Sequence, residues 1–180
     1  MASSRAEHVQ VLISAERIAE RVRELADAIA RDHQDTGEVL LVGVLKGAFI
    51  FLADLARALP IPNAVDFLAL SSYGARGARR GGSRLVLDLR EDIRGRHVIV
   101  VEDIVDTGHT LVYVRDLLTV RRPASMHTCA LVTKPSRHEV RTPVDYVGFE
   151  IPDVWAVGYG LDFKDRFRTL PYIGVVPDPT

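Results

Sequence analysis

Cysteine is nearly absent from the 180-residue chain, which contains a single one, Cys129. One cysteine cannot form an internal disulfide, and no spacing of cysteine and histidine is typical of a zinc site. Cys129 lies in a mostly apolar run. We therefore interpret it as a small buried core residue rather than as a catalytic thiol.

Long hydrophobic runs are also missing. The most apolar stretch covers residues 39–53, but Lys46 interrupts it and Asp54 follows it, so it is too short for a membrane span. The N-terminus soon turns charged and lacks the apolar segment of a signal peptide. We expect a cytoplasmic protein with no membrane partner.

A large net charge is the third absence, since the formal net charge is −1. Bulk charge therefore does not favour a nucleic-acid partner. The chain is 47% hydrophobic and 26% charged, as is ordinary for a globular protein. Its length suits one compact core, and it shows neither an internal repeat nor a linker. We predict a single domain over residues 1–180.

Hydrophobic spacing predicts alternating strands and helices. Ser14 is a candidate N-cap for an amphipathic helix that ends near residues 35–37. Further helices are predicted at residues 48–59 and 110–120, and strands at residues 39–45, 65–70, 85–89, 97–101, 126–132, 146–149, 155–157 and 173–176. The crossovers are long enough for parallel pairing. We predict an α/β fold with an open, mainly parallel sheet flanked by helices.

A dense group of polar residues follows the predicted strand that ends at Val101. Glu102 and Asp103 are adjacent carboxylates that can accept hydrogen bonds from sugar hydroxyls and hold a hydrated Mg²⁺. The run from Asp106 to Thr110 then enters a helix, where backbone N–H groups and two hydroxyls favour a phosphate. The alternative is a solvated strand end with a capped helix. The length of the run favours the phosphate site.

This run resembles the signature with which type I phosphoribosyltransferases bind phosphoribosyl pyrophosphate (PRPP), in the form typical of the hypoxanthine-guanine branch. Other segments resemble that branch in the family's order, namely residues 44–47, 71–74, 134–136, 152–162 and 163–168. The resemblance implies purine salvage by Mg²⁺-dependent transfer of the 5-phosphoribosyl group from PRPP to hypoxanthine, guanine or both. The products are IMP or GMP and pyrophosphate. It also implies a small hood formed by the terminal segments, and a homodimer or homotetramer.

The resemblance further implies a role for each matching residue. Asp106 is similar to the acid/base residue at N7 of the purine. Glu102 and Asp103 match the ribose and metal ligands, and Asp162 matches a residue near a second Mg²⁺. The 5′-phosphate would lie at Thr107, Gly108, His109 and Thr110, pyrophosphate at Leu45, Lys46, Gly47 and Arg168, the base at Lys134, Trp155 and Ala156, and the start of the mobile loop at Ser72 and Tyr73.

Several of these residues have a plainer interpretation. Lys134 offers only donors, which favours a 6-oxo over a 6-amino purine, but it could be a solvated loop lysine. Trp155, the only tryptophan, could equally be a core residue. Asp162 could be a capping aspartate, and Arg168 an arginine on a surface turn.

Residues 73–84 depart from the family pattern. Glycine and arginine dominate this segment, and no large aliphatic residue anchors it, so we expect a mobile loop. We favour a merely solvated role for Arg76, Arg79, Arg80 and Arg84. The alternative is that they increase the attraction for PRPP.

Two other functions fit the same pattern. A nucleic-acid-binding regulator on this fold would need a basic face, which the net charge does not favour. The second alternative function is a transferase for another base. Lys134 and Trp155 do not distinguish among hypoxanthine, guanine and xanthine. Oligomeric state and feedback regulation are also left open by the sequence.

Overall fold

The computed structural model describes residues 9–72, 83–141 and 143–177. Within these residues the chain forms nine strands, three α-helices and one 3₁₀ turn. In chain order they are β1 Gln10–Ile13, α1 Ala15–Asp32, β2 Val39–Leu45, α2 Phe49–Ala58, β3 Asn63–Ser72, β4 Ser83–Leu87, β5 His97–Val105, α3 His109–Thr119, β6 Ser125–Thr133, the 3₁₀ turn Pro135–Arg137, β7 Tyr146–Glu150, β8 Ala156–Val157 and β9 Ile173–Val175.

The main sheet has six strands in the order β4-β3-β2-β5-β6-β7. Its strands pair in parallel, except that β4 runs antiparallel to β3 at the edge. The first six of the seven residues of β2 are buried, as expected for a strand covered on both faces. The predicted α/β fold with an open, mainly parallel sheet is confirmed.

Helices cover both faces of this sheet. On one face α1 and α2 pack against side chains such as Leu41 and Ile99, and on the other α3 packs against Val42 and Val100. The alternation follows from the strand, whose successive side chains point to opposite faces. Cys129 is fully buried in the first of these cores, which confirms its interpretation as a core residue.

A second, antiparallel sheet joins the two ends of the chain, with the strand order β1-β9-β8. It corresponds to the hood expected from the terminal segments. The sequence patterns did not predict β1, whose first three residues are exposed, so no alternation marks it. Its partner β9 lies near the other end of the chain.

The connections change direction between β2 and β5, the two central strands. From β2 the chain passes through α2 to β3 on one side, and from β5 through α3 to β6 on the other. Registered pairs between β2 and β5 end at Gly43 and Val101. Ligands bind at such switch points, beyond the carboxyl ends of the strands. The topology therefore places a crevice directly after Val101.

Several predicted boundaries were wrong, among them the following three. The helix capped by Ser14 ends at Asp32, because the N–H of His33 closes the last turn on Ile29. Strand β5 continues beyond Val101 to Val105, because β6 keeps pairing with it. Arg84 belongs to β4 and pairs with Ser71 rather than lying in a loop. The remainder of that predicted loop, residues 73–82, lies outside the described residues.

In the part of the chain that the structure describes, no helix is both long and apolar enough to cross a membrane.

Candidate active site

A cavity of about 290 Å³ opens where β2 and β5 part. Its walls are the end of β2, the last residues of β5 and the turn into α3. It is lined by Val44, Leu45, Gly47, Leu70, Glu102, Asp103, Ile104, Val105, Asp106, Thr107, Gly108, Thr110 and Leu111. The structure thus brings together two of the predicted segments, the turn after β2 and the run after Val101.

The turn into α3 depends on Gly108, which adopts a left-handed backbone with φ of 90°. Glycine has no Cβ to oppose this conformation, so the chain can turn sharply into the helix. Backbone N–H groups at the start of a helix favour an anion. The side chain of His109 pairs with Glu139, with 3.0 Å between His109 Nε2 and Glu139 Oε2.

Glu102 and Asp103 form the acidic wall of the cavity. Glu102 is buried, and its Oε1 has no hydrogen-bond partner among the described residues. Burial, reinforced by the charge of Asp103, raises the pKa of Glu102 well above its ordinary value. Burial likewise raises the pKa of Asp103 to about 6, with the nearby Asp162 adding to the rise and Arg168 opposing it. A buried carboxyl without a partner fits a polar ligand.

Gly47 lets the turn after β2 lie directly against Asp103. A Cβ at Gly47 would stand 1.6 Å from Asp103 Oδ2, so any other residue at this position would force the Asp103 carboxylate to move. The Leu45–Lys46 peptide in this turn is cis. Gly47, one of the predicted pyrophosphate residues, therefore adjoins Asp103, one of the predicted metal ligands.

The hood closes over this turn through Gly160. A Cβ at Gly160 would lie 2.0 Å from the carbonyl oxygen of Gly47. Arg168 holds the hood loop together, because its Nη1 donates to the Gly160 carbonyl at 2.7 Å and its Nη2 lies 2.7 Å from Asp162 Oδ1. Lys46 Nζ reaches Asp165 Oδ1 at 3.1 Å. The structure thus gathers Lys46, Arg168 and Asp162 around the turn.

A charged cluster lies next to Asp106 at the end of β6. Lys134 is buried, and its Nζ lies 3.6 Å from Asp106 Oδ2 and 3.7 Å from Asp153 Oδ1. Arg137 Nε donates to Asp106 Oδ1 at 3.0 Å. The burial and the two carboxylate neighbours exclude a solvated loop lysine at position 134.

Trp155 is 49% exposed and packs one edge against Phe163, with 5.5 Å between the ring centroids and 82° between the planes. The interpretation as a core residue is therefore wrong. A half-exposed indole can stack on a flat ring. Ala156 is buried in β8, where it pairs with Val175.

Ser72 is the last residue of β3, while Tyr73 lies outside the described residues. Ser72, the first residue of the predicted mobile loop, thus lies in the main sheet on the strand next to β2.

The carboxylates around the crevice suit Mg²⁺ only if a substrate supplies further oxygen ligands. Among residues 9–72, 83–141 and 143–177, no group of three or more His, Cys, Asp or Glu side chains could hold a metal ion. Mg²⁺ commonly takes one or two carboxylates, with waters and phosphate oxygens completing its shell. The unpartnered Glu102 oxygen and the proximity of Asp103 to Asp162 fit that arrangement.

A larger cavity, of about 750 Å³, lies between α1, α2 and the chain near Tyr159 and Pro171. Its lining contains neither Asp106 nor the turn into α3. The chemistry of the side chains, rather than the size of the space, identifies the smaller cavity as the site.

Arg137 is the site residue that the sequence patterns missed. It follows Lys134 by three residues, at the end of the 3₁₀ turn Pro135–Arg137. Side chains three apart on such a turn point to the same side. The spacing was a usable signal, but it required knowing that a 3₁₀ turn follows β6.

Comparison with known proteins agrees with this geometry. The phosphoribosyl transferase domain family matches residues 10–164. The chain is 47% identical over 169 residues to the hypoxanthine phosphoribosyltransferase of Salmonella typhimurium, covering 93% of this chain and 95% of that protein.

Solved structures match equally well. A hypoxanthine-guanine phosphoribosyltransferase from Bacillus anthracis superposes with a TM-score of 0.89 at 41% identity, covering 94% of this chain and 100% of that one. Hypoxanthine phosphoribosyltransferase from Trypanosoma cruzi, in complex with its product IMP, gives a TM-score of 0.88 at 41% identity, covering 93% and 94%. A further structure of the Trypanosoma cruzi enzyme, concerned with the role of its C-terminal region in oligomeric state and activity, gives 0.89 at 41% identity, covering 93% and 91%.

Proposed function

The chain belongs to the phosphoribosyltransferase family, and from that premise we propose that it transfers the 5-phosphoribosyl group of PRPP to hypoxanthine or guanine. The products are IMP or GMP and pyrophosphate. The observation that carries the proposal is the 3.6 Å separation of Lys134 Nζ from Asp106 Oδ2, beside the turn into α3. A donor next to an acceptor complements the 6-oxo group and the N7–H group, which are neighbours on an oxopurine. Adenine offers an amino group instead of the oxo group.

PRPP lies along the crevice between β2 and β5 in this proposal. The turn Thr107–Thr110 binds the 5′-phosphate, and the left-handed Gly108 supports that assignment. Glu102 and Asp103 accept hydrogen bonds from the ribose hydroxyls. Pyrophosphate lies at Leu45, Lys46 and Gly47, where Arg168 adds a cation.

Mg²⁺ neutralises the departing pyrophosphate when it is bound. Glu102, Asp103 and Asp162 are the residues we assign to hold it. Support comes from the unpartnered carboxylate oxygen of Glu102 and from the electrostatic contact of Asp103 with Asp162.

The transfer replaces a bond from C1′ of the ribose to pyrophosphate by a bond from C1′ to N9 of the base. Positive charge develops on the sugar ring in the transition state, as in glycoside cleavage. Asp106 accepts the N7 proton, Lys134 donates to the 6-oxo group, and Trp155 stacks on the ring beside the backbone of Ala156. Ser72 and Tyr73 begin the segment that we assign to exclude water from the positively charged sugar ring.

The proposal includes one catalytic domain over residues 1–180, assembled as a homodimer or homotetramer. The Trypanosoma cruzi relative supports the assembly, since its oligomeric state has been examined. Sedimentation of the purified chain measures the assembly directly.

Nucleotide formation tests the proposed reaction. The chain is incubated with PRPP, Mg²⁺ and, in turn, hypoxanthine, guanine, xanthine or adenine, and the product is separated by chromatography. We expect IMP or GMP, little product from adenine, and none without PRPP. Product from adenine alone, or from no purine while PRPP still binds, would contradict the proposal.

A further inference from the structure

Arg137 and Asp153 are charged side chains next to Lys134, at the proposed base site, and they have no part in the transfer described above. Arg137 Nε donates to Asp106 Oδ1 at 3.0 Å and lies 3.7 Å from Asp153 Oδ1. Lys134 Nζ lies 3.6 Å from Asp106 Oδ2. Each carboxylate oxygen of Asp106 therefore faces a different cation.

Backbone hydrogen bonds fix Arg137 relative to Asp106. The N–H of Lys134 donates to the Val105 carbonyl at 3.0 Å, and the N–H of Glu139 donates to the Thr107 carbonyl at 3.0 Å. These bonds tie the chain before and after Arg137 to the chain before and after Asp106. The main chain therefore fixes the position from which the Arg137 guanidinium approaches the Asp106 carboxylate.

The two cations differ in their surroundings. The Lys134 side chain is 8% exposed and lies in the floor of the site, whereas the Arg137 side chain is 45% exposed at its rim. The hydrogen bond to Asp106 raises the pKa of Arg137 above its ordinary value, so the guanidinium stays charged. A charged donor at a fixed position restricts the orientation of the carboxylate that it binds.

We propose that Arg137 is a positioning residue that occupies Oδ1 of Asp106 and leaves Oδ2 turned toward the base; this inference rests on the proposed transferase function. In the transfer, N9 of the base bonds to C1′, and the C1′–O bond breaks with its electron pair leaving on pyrophosphate. The N7 proton moves to Asp106 Oδ2. Arg137 neither takes this proton nor touches the substrate.

The charges facing Asp106 explain why Arg137 matters. Lys134 approaches from the end of β6 and Arg137 from the 3₁₀ turn, while Asp153 lies before β8 and Glu139 follows the 3₁₀ turn. Asp106 and Asp153 lie beside the same two cations. Without Arg137, the Lys134 ammonium is left to pair with both of these carboxylates.

Steady-state kinetics of Arg137→Gln, Arg137→Lys and the control Arg141→Gln test the positioning role. We expect Arg137→Gln to lower kcat for hypoxanthine by about tenfold, as for the loss of one charged hydrogen bond. The KM for PRPP stays unchanged, because Arg137 does not contact that substrate in the proposal. Arg137→Lys restores part of kcat, and Arg141→Gln behaves as wild type. A wild-type kcat in Arg137→Gln, or a loss confined to the KM for PRPP, would overturn the inference.

A double-mutant cycle separates action through Asp106 from a general structural effect. If Arg137 acts through Asp106, adding Arg137→Gln to Asp106→Ala lowers the residual rate no further. A tenfold loss in both backgrounds would show that Arg137 acts elsewhere.

A measurement without turnover keeps the two proposals distinct. In ¹⁵N spectra of the free protein, the Arg137 Nε–H exchanges slowly with water while it is bonded to Asp106, and we expect fast exchange in Asp106→Ala. Exchange that is equally fast in the wild type would refute the positioning role even in an active enzyme. Slow exchange in a protein that converts no purine supports the pairing and rejects the transferase proposal.

Discussion

The two halves of β5 differ in what surrounds them. Residues 98–101 are apolar and fully buried, and pair with β2 on one side and β6 on the other. From Glu102 to Val105 the registered pairs are with β6 alone, and Glu102 carries a buried oxygen without a partner among the described residues. Both halves belong to one continuous strand.

One strand can therefore contribute residues to the core and to the site at once. The first half removes apolar surface from water, which stabilises the fold. The second half holds carboxyls away from water, which costs free energy until a ligand or metal compensates. The core half therefore offsets the destabilisation that the site half introduces in the free protein.

Among the substitutions that test this comparison, those of Gly47 and Gly43 on the β2 side have the largest expected effects, the first on activity and the second on stability. In Gly47→Ala the new Cβ would stand 1.6 Å from Asp103 Oδ2, and we expect kcat/KM for PRPP to fall by about 100-fold, roughly 2.7 kcal/mol. In Gly43→Ala the new Cβ meets Leu52 Cδ2 at 2.6 Å inside the core. We expect this variant to unfold at lower temperature while retaining activity at 25 °C. Kinetics and thermal unfolding of both variants check the pair.

The opposite pair of results would contradict the assignment of Gly47 to the site. If Gly47→Ala lowered the unfolding temperature and left kcat/KM intact, the turn after β2 would belong to the core and not to the site.

Asp103→Asn gives the smaller effect, on the stability of the free protein. The pKa of Asp103 rises from its ordinary 3.8 to about 6, so the folded state binds more protons than the unfolded state between these values. Its stabilisation is present below about pH 3.8 and is lost as the pH rises through 6. We expect Asp103→Asn to raise Tm by a few degrees at pH 7.5, and the gain to vanish toward pH 4.

Asp88→Asn is the matched control, with the opposite sign. A hydrogen bond from Arg121 lowers the pKa of Asp88, so its stabilisation is present at neutral pH and lost on acidification. We expect a slightly lower Tm for this variant at pH 7.5. Calorimetry of both variants checks the pair, and a lower Tm for Asp103→Asn at pH 7.5 would contradict the account.

Much of the fold could be predicted from local patterns. Apolar runs without alternation marked β2 and β5, and Ser14 caps α1 as expected, with its Oγ accepting from the N–H of Arg17 at 3.4 Å. Strand β1 could not be predicted, because only its pairing with β9 near the other end of the chain makes it a strand.

The site was predictable where its residues are contiguous and less so elsewhere. The run from Glu102 to Thr110 concentrates its chemistry in one stretch of sequence. The contact of Arg137 with Asp106 joins residues 31 positions apart. It depends on β6 lying next to β5, which no local pattern encodes. The exposure of Trp155 likewise follows from the packing of the hood.

Kinetics of Asp106→Asn test whether a phosphoribosyl group is transferred to an oxopurine in the crevice after Val101, with Asp106 as the proton acceptor. The amide keeps the shape of the side chain but cannot take the N7 proton. We predict that kcat for hypoxanthine falls by roughly 100- to 10,000-fold, while calorimetric titration shows unchanged PRPP binding. Wild-type turnover in Asp106→Asn would contradict the account.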